Sequence, residues 1–148
     1  MTLFFPDVNV WLALADGEHF HHELAMGWAT ALPANQCLIF ARYTHLGLLR
    51  LLTNPSVMKD KTLALREAWS VYENWLSDSR VEFYPEPGGL HADFRRTTLP
   101  LDESPATKWI GDCYLLAFAK GCGATLVTFD RPLAAFAKKR GFKAMVPA

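Results

Sequence analysis

The chain has 148 residues, 51% of them hydrophobic, and its 15 Lys and Arg residues balance its 15 Asp and Glu residues. That is the usual size of one domain, with enough apolar residues to build a core. The zero net charge excludes an overall field drawing the chain to nucleic acid or membrane, so any such attraction is local. The three cysteines, Cys37, Cys113 and Cys122, lie in apolar or glycine-flanked settings without CxxC or His-spaced metal patterns. Reduced thiols in a cytosolic protein fit that usage. No basic leader opens the chain, and no apolar run nears the roughly 18 residues of a membrane span. The expectation is a single cytoplasmic domain over residues 1–148.

Leu3 to Pro6 is an apolar run too short for a helix and is followed at once by Asp7. It reads as a buried strand whose C-terminal end delivers a carboxylate to the rim of a sheet. Val8 to Ala15 reads as a buried helical segment broken by Asp16-Gly17. His19 to Leu32 reads as a helix with Leu24, Trp28 and Ala31 on one face. Cys37 to Phe40 is a second buried strand. Tyr43 to Leu52 is a helix stopped at Thr53-Asn54-Pro55. Lys61 to Ser77 is amphipathic, with Leu65, Ala68, Trp69, Tyr72 and Leu76 on its apolar face. Arg80 to Tyr84 alternates as a half-buried strand should.

Leu90 to Thr97 is a short helix. Ser104-Pro105 predicts an N-cap and first helical residue, opening a helix to about Lys120 that Gly121 closes. Ala124 to Phe129 is the clearest strand, rich in β-branched and apolar residues. Asp130-Arg131-Pro132 turns into a helix through about Arg140, and Phe142 to Val146 is a last edge strand. Strands alternating with helices predict a mostly parallel sheet covered on both faces. In such sheets ligands bind outside the carboxyl ends of the strands.

Asp7, Asp112 and Asp130 are the candidate functional residues. Asp7 and Asp130 each have an ordinary alternative as helix N-caps. Asp112 lies in a helix, Trp109 to Ala119, that is apolar nearly all round, so burial is expected and an unpartnered carboxylate there is costly. Brought to one sheet edge, the three would repel one another without a counter-ion. A hard divalent cation with oxygen ligands, Mg²⁺ or Mn²⁺, resolves that repulsion, and a water it holds can attack a phosphodiester. Asn9 and Thr128, each two residues from an Asp, are candidate supporting groups. His19, His21 and His22 match no metal spacing and read as solvated side chains. Lys138, Lys139, Arg140 and Lys143 form a basic cluster, with a smaller one at Lys59 and Lys61. These either hold a phosphodiester backbone near the acids or complement helix dipoles.

Asp7-Val8-Asn9 after a strand, Gly111 to Ala119 around Asp112, and Thr125 to Asp130 close behind together resemble a PIN domain. More narrowly they resemble the VapC ribonuclease toxins of bacterial toxin–antitoxin pairs. Thr44 to Pro55, with its Gly47-Leu48-Leu49-Arg50 core, is similar to a stretch of one VapC branch. The resemblance runs from Leu3 to about Arg140. It implies an α/β/α sandwich, RNA cleavage dependent on Mg²⁺ or Mn²⁺ held by Asp7, Asp112 and Asp130, a homodimer, and inhibition by a VapB-like antitoxin. Arg50 and Arg131 are candidates for contact with RNA. The chain departs from the family where many members carry a fourth acid, a position that matches His45 here. A non-cleaving scaffold that binds RNA or protein is the alternative. A phosphatase of the haloacid dehalogenase type ranks lower, because Asn9 stands where its second Asp belongs.

Overall fold

The computed structural model describes all residues 1–148. Its strands are β1 (Leu3–Pro6), β2 (Cys37–Phe40), β3 (Val81–Phe83), β4 (Thr125–Val127) and β5 (Ala144–Met145). Between them run α1 (Val8–Ala15), α2 (His22–Ala31), α3 (Arg42–Leu52), α4 (Pro55–Met58), α5 (Leu65–Leu76), α6 (Leu90–Thr98), α7 (Thr107–Cys122) and α8 (Arg131–Lys139). The strands form one sheet in the order β3-β2-β1-β4-β5, and every neighbouring pair is parallel. The expected α/β/α sandwich is present. β1 is central, and the chain leaves it first toward β2 and later returns on its other side with β4. The reversal creates a crevice at the carboxyl ends of β1 and β4.

Strand periodicity distributes side chains between two cores. Leu38 and Phe40 of β2 enter one core, while Cys37 and Ile39 enter the other, so the strand is buried on both faces. The first core packs α1, α2, α3 and α5 on the sheet, centred on Trp11, which stacks on Phe40 with ring centroids 3.8 Å apart. The second packs α7 and α8 through Leu116, Phe118, Leu133 and Ala137 against Phe5, Ile39 and Leu126. Each such large side chain contributes about 1.5–3 kcal/mol through burial.

Several sequence expectations are corrected. Residues 19–21 form a turn, and α2 begins at His22. Leu24 faces solvent at 44% exposure, while the small Ala25 and Ala29 let the helix approach the core. Leu65 and Trp69 are likewise largely exposed, and Ala68 and Tyr72 carry the buried face of α5. Lys61 lies in a 3-10 turn before α5 and pairs with Asp16 and Glu18 at 2.8 and 3.0 Å. Ser104-Pro105 does not open α7. The Ser104 N–H closes the preceding turn on the Leu101 carbonyl at 2.9 Å, and Ala106 stands at the N-cap. Gly123, not Gly121, terminates α7, in a left-handed conformation (φ 68°).

Candidate active site

Asp7 follows β1 directly. Its N–H donates to the Val127 carbonyl of β4 at 2.8 Å, so the strand ladder itself fixes the residue at the crevice. Asp7 caps α1, its Oδ1 accepting from the Val8 N–H at 2.7 Å. Its Oδ2 accepts from the Thr128 hydroxyl at 2.9 Å and from Asn9 Nδ2 at 3.3 Å. The ordinary capping role and a place at the sheet edge therefore coexist in one side chain. At 8% exposure, burial pushes its pKa up, and the Asp130 charge adds to that; the Thr128 hydroxyl and Val8 N–H act in the opposite direction.

Thr128 is fully buried and joins the two strand ends. Besides donating to Asp7, its oxygen accepts from the Asp130 N–H at 3.0 Å and from Asn9 Nδ2 at 3.3 Å. Asn9 completes the bracket through its Oδ1, which accepts from the Phe129 N–H at 3.2 Å. Asp130 caps α8, its Oδ1 accepting from the Leu133 N–H at 3.1 Å.

Asp112 arrives from the opposite side, in the second turn of α7. That helix is apolar but not buried all round here: Ile110 is 55% exposed, and continuous burial begins only at Leu115. Asp112 is consequently half-buried at the boundary. Its carboxylate has no hydrogen-bond or ion-pair partner, and its pKa is raised to about 6. Desolvation is the main cause, followed by repulsion from Asp7 and then Asp130, with Lys108 pulling the other way. Gly111 beside it admits the Tyr43 hydroxyl where a Cβ would stand, which lets α7 lie close to α3.

Asp7 and Asp112 line one hollow with Val8, Tyr43, Thr44, Gly47, Arg50 and Leu115. Gly47 lies against the Val8 side chain, which an added Cβ would meet at 3.1 Å. Asp130 is close enough to act electrostatically on both carboxylates but is not part of that lining. No three acidic, His or Cys side chains are gathered into a ready-made coordination group. The arrangement is an open edge with two facing carboxylates and a third nearby. Such a donor set fits a hard divalent ion, which takes one or two carboxylates and retains several waters. The unpartnered Asp112 is the observation that favours that fit.

Arg50 faces the same hollow and makes no ion pair with either acid, so its guanidinium is free for an anion. Arg131 is exposed at the first position of α8, beside Asp130. His45 is not at the edge. It lies 1% exposed on the far side of α3, stacked on Tyr72 (3.7 Å) and edge-on to Trp69. Its Nδ1 accepts from Arg42 at 3.0 Å, and burial and that guanidinium push its pKa down. The residues of α3 that face the acids are Tyr43, Thr44 and Gly47, none of them a site candidate from the sequence. Their spacing with Arg50, one helical face, was the available signal. The basic cluster is also displaced: Arg140 and Lys143 lie at the end of α8 and before β5, at the amino edge of the sheet, away from the acids.

A model of the PIN domain matches residues 4–139, and the chain belongs to the PIN-domain family. Within that family it groups with the VapC proteins. Ribonuclease VapC41 of Mycobacterium tuberculosis is 41% identical over 128 residues, 84% of this chain and 86% of that protein. Two solved structures share the fold at low identity. VapBC2 from Rickettsia felis, bound to a DNA fragment from their promoter, gives a TM-score of 0.72 at 14% identity over 98% of both chains. Mycobacterium tuberculosis VapC20, a sarcin–ricin loop cleaving toxin, gives 0.66 at 18% identity, covering 94% of this chain and 95% of that one. No helix is long and apolar enough to cross a membrane.

Proposed function

We propose that this protein is the ribonuclease toxin of a VapBC-type toxin–antitoxin pair, hydrolysing RNA phosphodiesters at the carboxyl edge of β1 and β4. One observation carries the reading: a raised, unpartnered Asp112 faces a buried Asp7 across an open hollow. A second carboxylate that repels Asp112 from across the same hollow favours a cation between them. Asp7 and Asp112 would hold Mg²⁺ or Mn²⁺, with Asp130 joining directly or through water. A bound ion would supply an acidic water and neutralise charge on the phosphate.

The chain's own groups do the rest. Asn9 and Thr128 fix the rotamer of Asp7, and the Asp130 N–H fixes the Thr128 hydroxyl. Arg50, and Arg131 at the rim, offset the repulsion that an acidic edge exerts on RNA phosphates. A VapB-like antitoxin is supported by the VapBC structures that share the fold; a homodimer and a cytoplasmic location complete this proposal.

The test is cleavage of total RNA by purified protein with Mg²⁺, with Mn²⁺ and with EDTA, beside Asp7→Asn. Metal-dependent products absent from the variant are expected. RNA binding that ignores EDTA and leaves no products would replace this reading with the non-cleaving scaffold.

A further inference from the structure

The basic residues that the acidic edge does not use form a surface of their own. Two adjoining hollows lie at the amino edge of the sheet. The first, about 180 Å³, is lined by Lys120, Gly123, Arg140, Gly141, Phe142 and Lys143 among others. The second shares Lys120, Arg140 and Phe142 and adds Arg96, Thr97 and Asp93. Together they make one groove running from α6, past the end of α7, to the end of α8. Asp93 is its one acid and is already paired with Arg96. Lys120, Arg140 and Lys143, with Lys138 and Lys139 alongside, form no ion pair at all. The Arg140 guanidinium is held in place by stacking 4.6 Å over Phe136. Gly123 and Gly141, both at positive φ, give part of the floor no side chain.

Helix dipoles do not account for this charge. Two helix C-termini, those of α7 and α8, lie here, each worth roughly half a negative charge, or about one in all. Five unpaired cations in a chain of zero net charge exceed that severalfold. We infer that this groove is a second, sequence-independent binding site for the phosphodiester backbone of the RNA substrate, remote from the acidic edge. The inference rests on the ribonuclease reading for the identity of the polyanion.

The geometry defines the substrate class. The groove and Asp130 are separated by the nine residues of α8, about 14 Å at 1.5 Å per residue. A stacked strand with 3.4 Å between phosphates needs about four nucleotides to cover that span. The groove therefore favours RNA of more than about four nucleotides, whose backbone reaches from one sheet edge to the other. A trinucleotide cannot engage both.

Binding is measured in an Asp7→Asn background, so the result does not depend on whether the acidic edge cuts RNA. The probes are a long structured RNA, a trinucleotide, and duplex DNA matching the RNA in length, each titrated over a range of salt. Lys120→Gln, Arg140→Gln and Lys143→Gln combined should weaken the long RNA about tenfold or more and reduce its log–log salt slope by about 2–3. The trinucleotide, with too few phosphates to make all these contacts, should lose much less. Unchanged affinity and slope for the long RNA would overturn the inference. A loss for the trinucleotide as large as that for the long RNA would overturn the selection by length. Groove-dependent binding of the duplex DNA in preference to the RNA would reject RNA as the occupant.

Discussion

Asp112→Asn should make the metal-free protein more stable while removing its function. The unpartnered carboxylate has its pKa raised from 3.8 to about 6, so the folded state disfavours its charged form. At 1.36 kcal/mol per unit the shift corresponds to about 3 kcal/mol, which solvent screening of a half-exposed group reduces to about 1–2 kcal/mol. Above pH 6 both folded and unfolded chains are ionised and the full penalty stands. As the pH falls below 6 the folded chain takes its proton first, and the penalty disappears by about pH 4. Urea unfolding in EDTA should therefore show Asp112→Asn more stable than wild type by about 1–2 kcal/mol at pH 7.5, with the difference shrinking toward zero near pH 4. Adding Mn²⁺ at pH 7.5 should raise the stability of wild type and leave the variant unmoved. A variant less stable than wild type at pH 7.5, or a difference independent of pH, would refute the view that Asp112 is held in an unfavourable charged state.

Thr128→Val keeps the volume but deprives Asp7 of a donor and leaves the Asp130 N–H without its acceptor. It should cost about 1–3 kcal/mol in urea unfolding and weaken metal binding, read by calorimetry, about 10–100-fold. His45→Glu, which puts an acid at the position where many PIN domains carry a fourth one, should lower stability by roughly 2–3 kcal/mol, because the side chain packs among Tyr72 and Trp69. Calorimetry with Mn²⁺ should show no second ion; an added ion would mean that α3 is turned differently. Arg50→Ala should leave the fold intact by circular dichroism and lower the salt slope of RNA binding by about 1.

Strands were the most legible part of the chain. Cys37-Leu38-Ile39-Phe40 and Thr125-Leu126-Val127 are short, apolar and β-rich, and both are strands here. Asp7 and Asp130 could be placed because each directly follows such a run, so a strand boundary sets their position. Helix faces were harder to read. In α2 and α5 the positions of closest approach went to alanine, which hydrophobicity ranks below Leu24 or Trp69. The orientation of α3 was missed because His45 and Thr44 are adjacent in sequence but sit about 100° apart around a helix. That rotation turns one toward the acids and the other toward Trp69. The basic cluster follows Asp130 closely in the chain, yet α8 carries it to the opposite edge of the sheet, which charge pattern alone does not reveal.

Because Asp7 is anchored on β4, the earliest-made part of the polypeptide stays chemically incomplete until nearly the last. A ribosome has assembled well over a hundred residues before Val127 can accept the Asp7 amide and Thr128 can clasp its carboxylate. Until then β1 is paired with β2 alone and its other margin is open. A half-made chain, or one broken off before β4, lacks Asp130 and the clasp on Asp7, and under the proposed function it should cut no RNA.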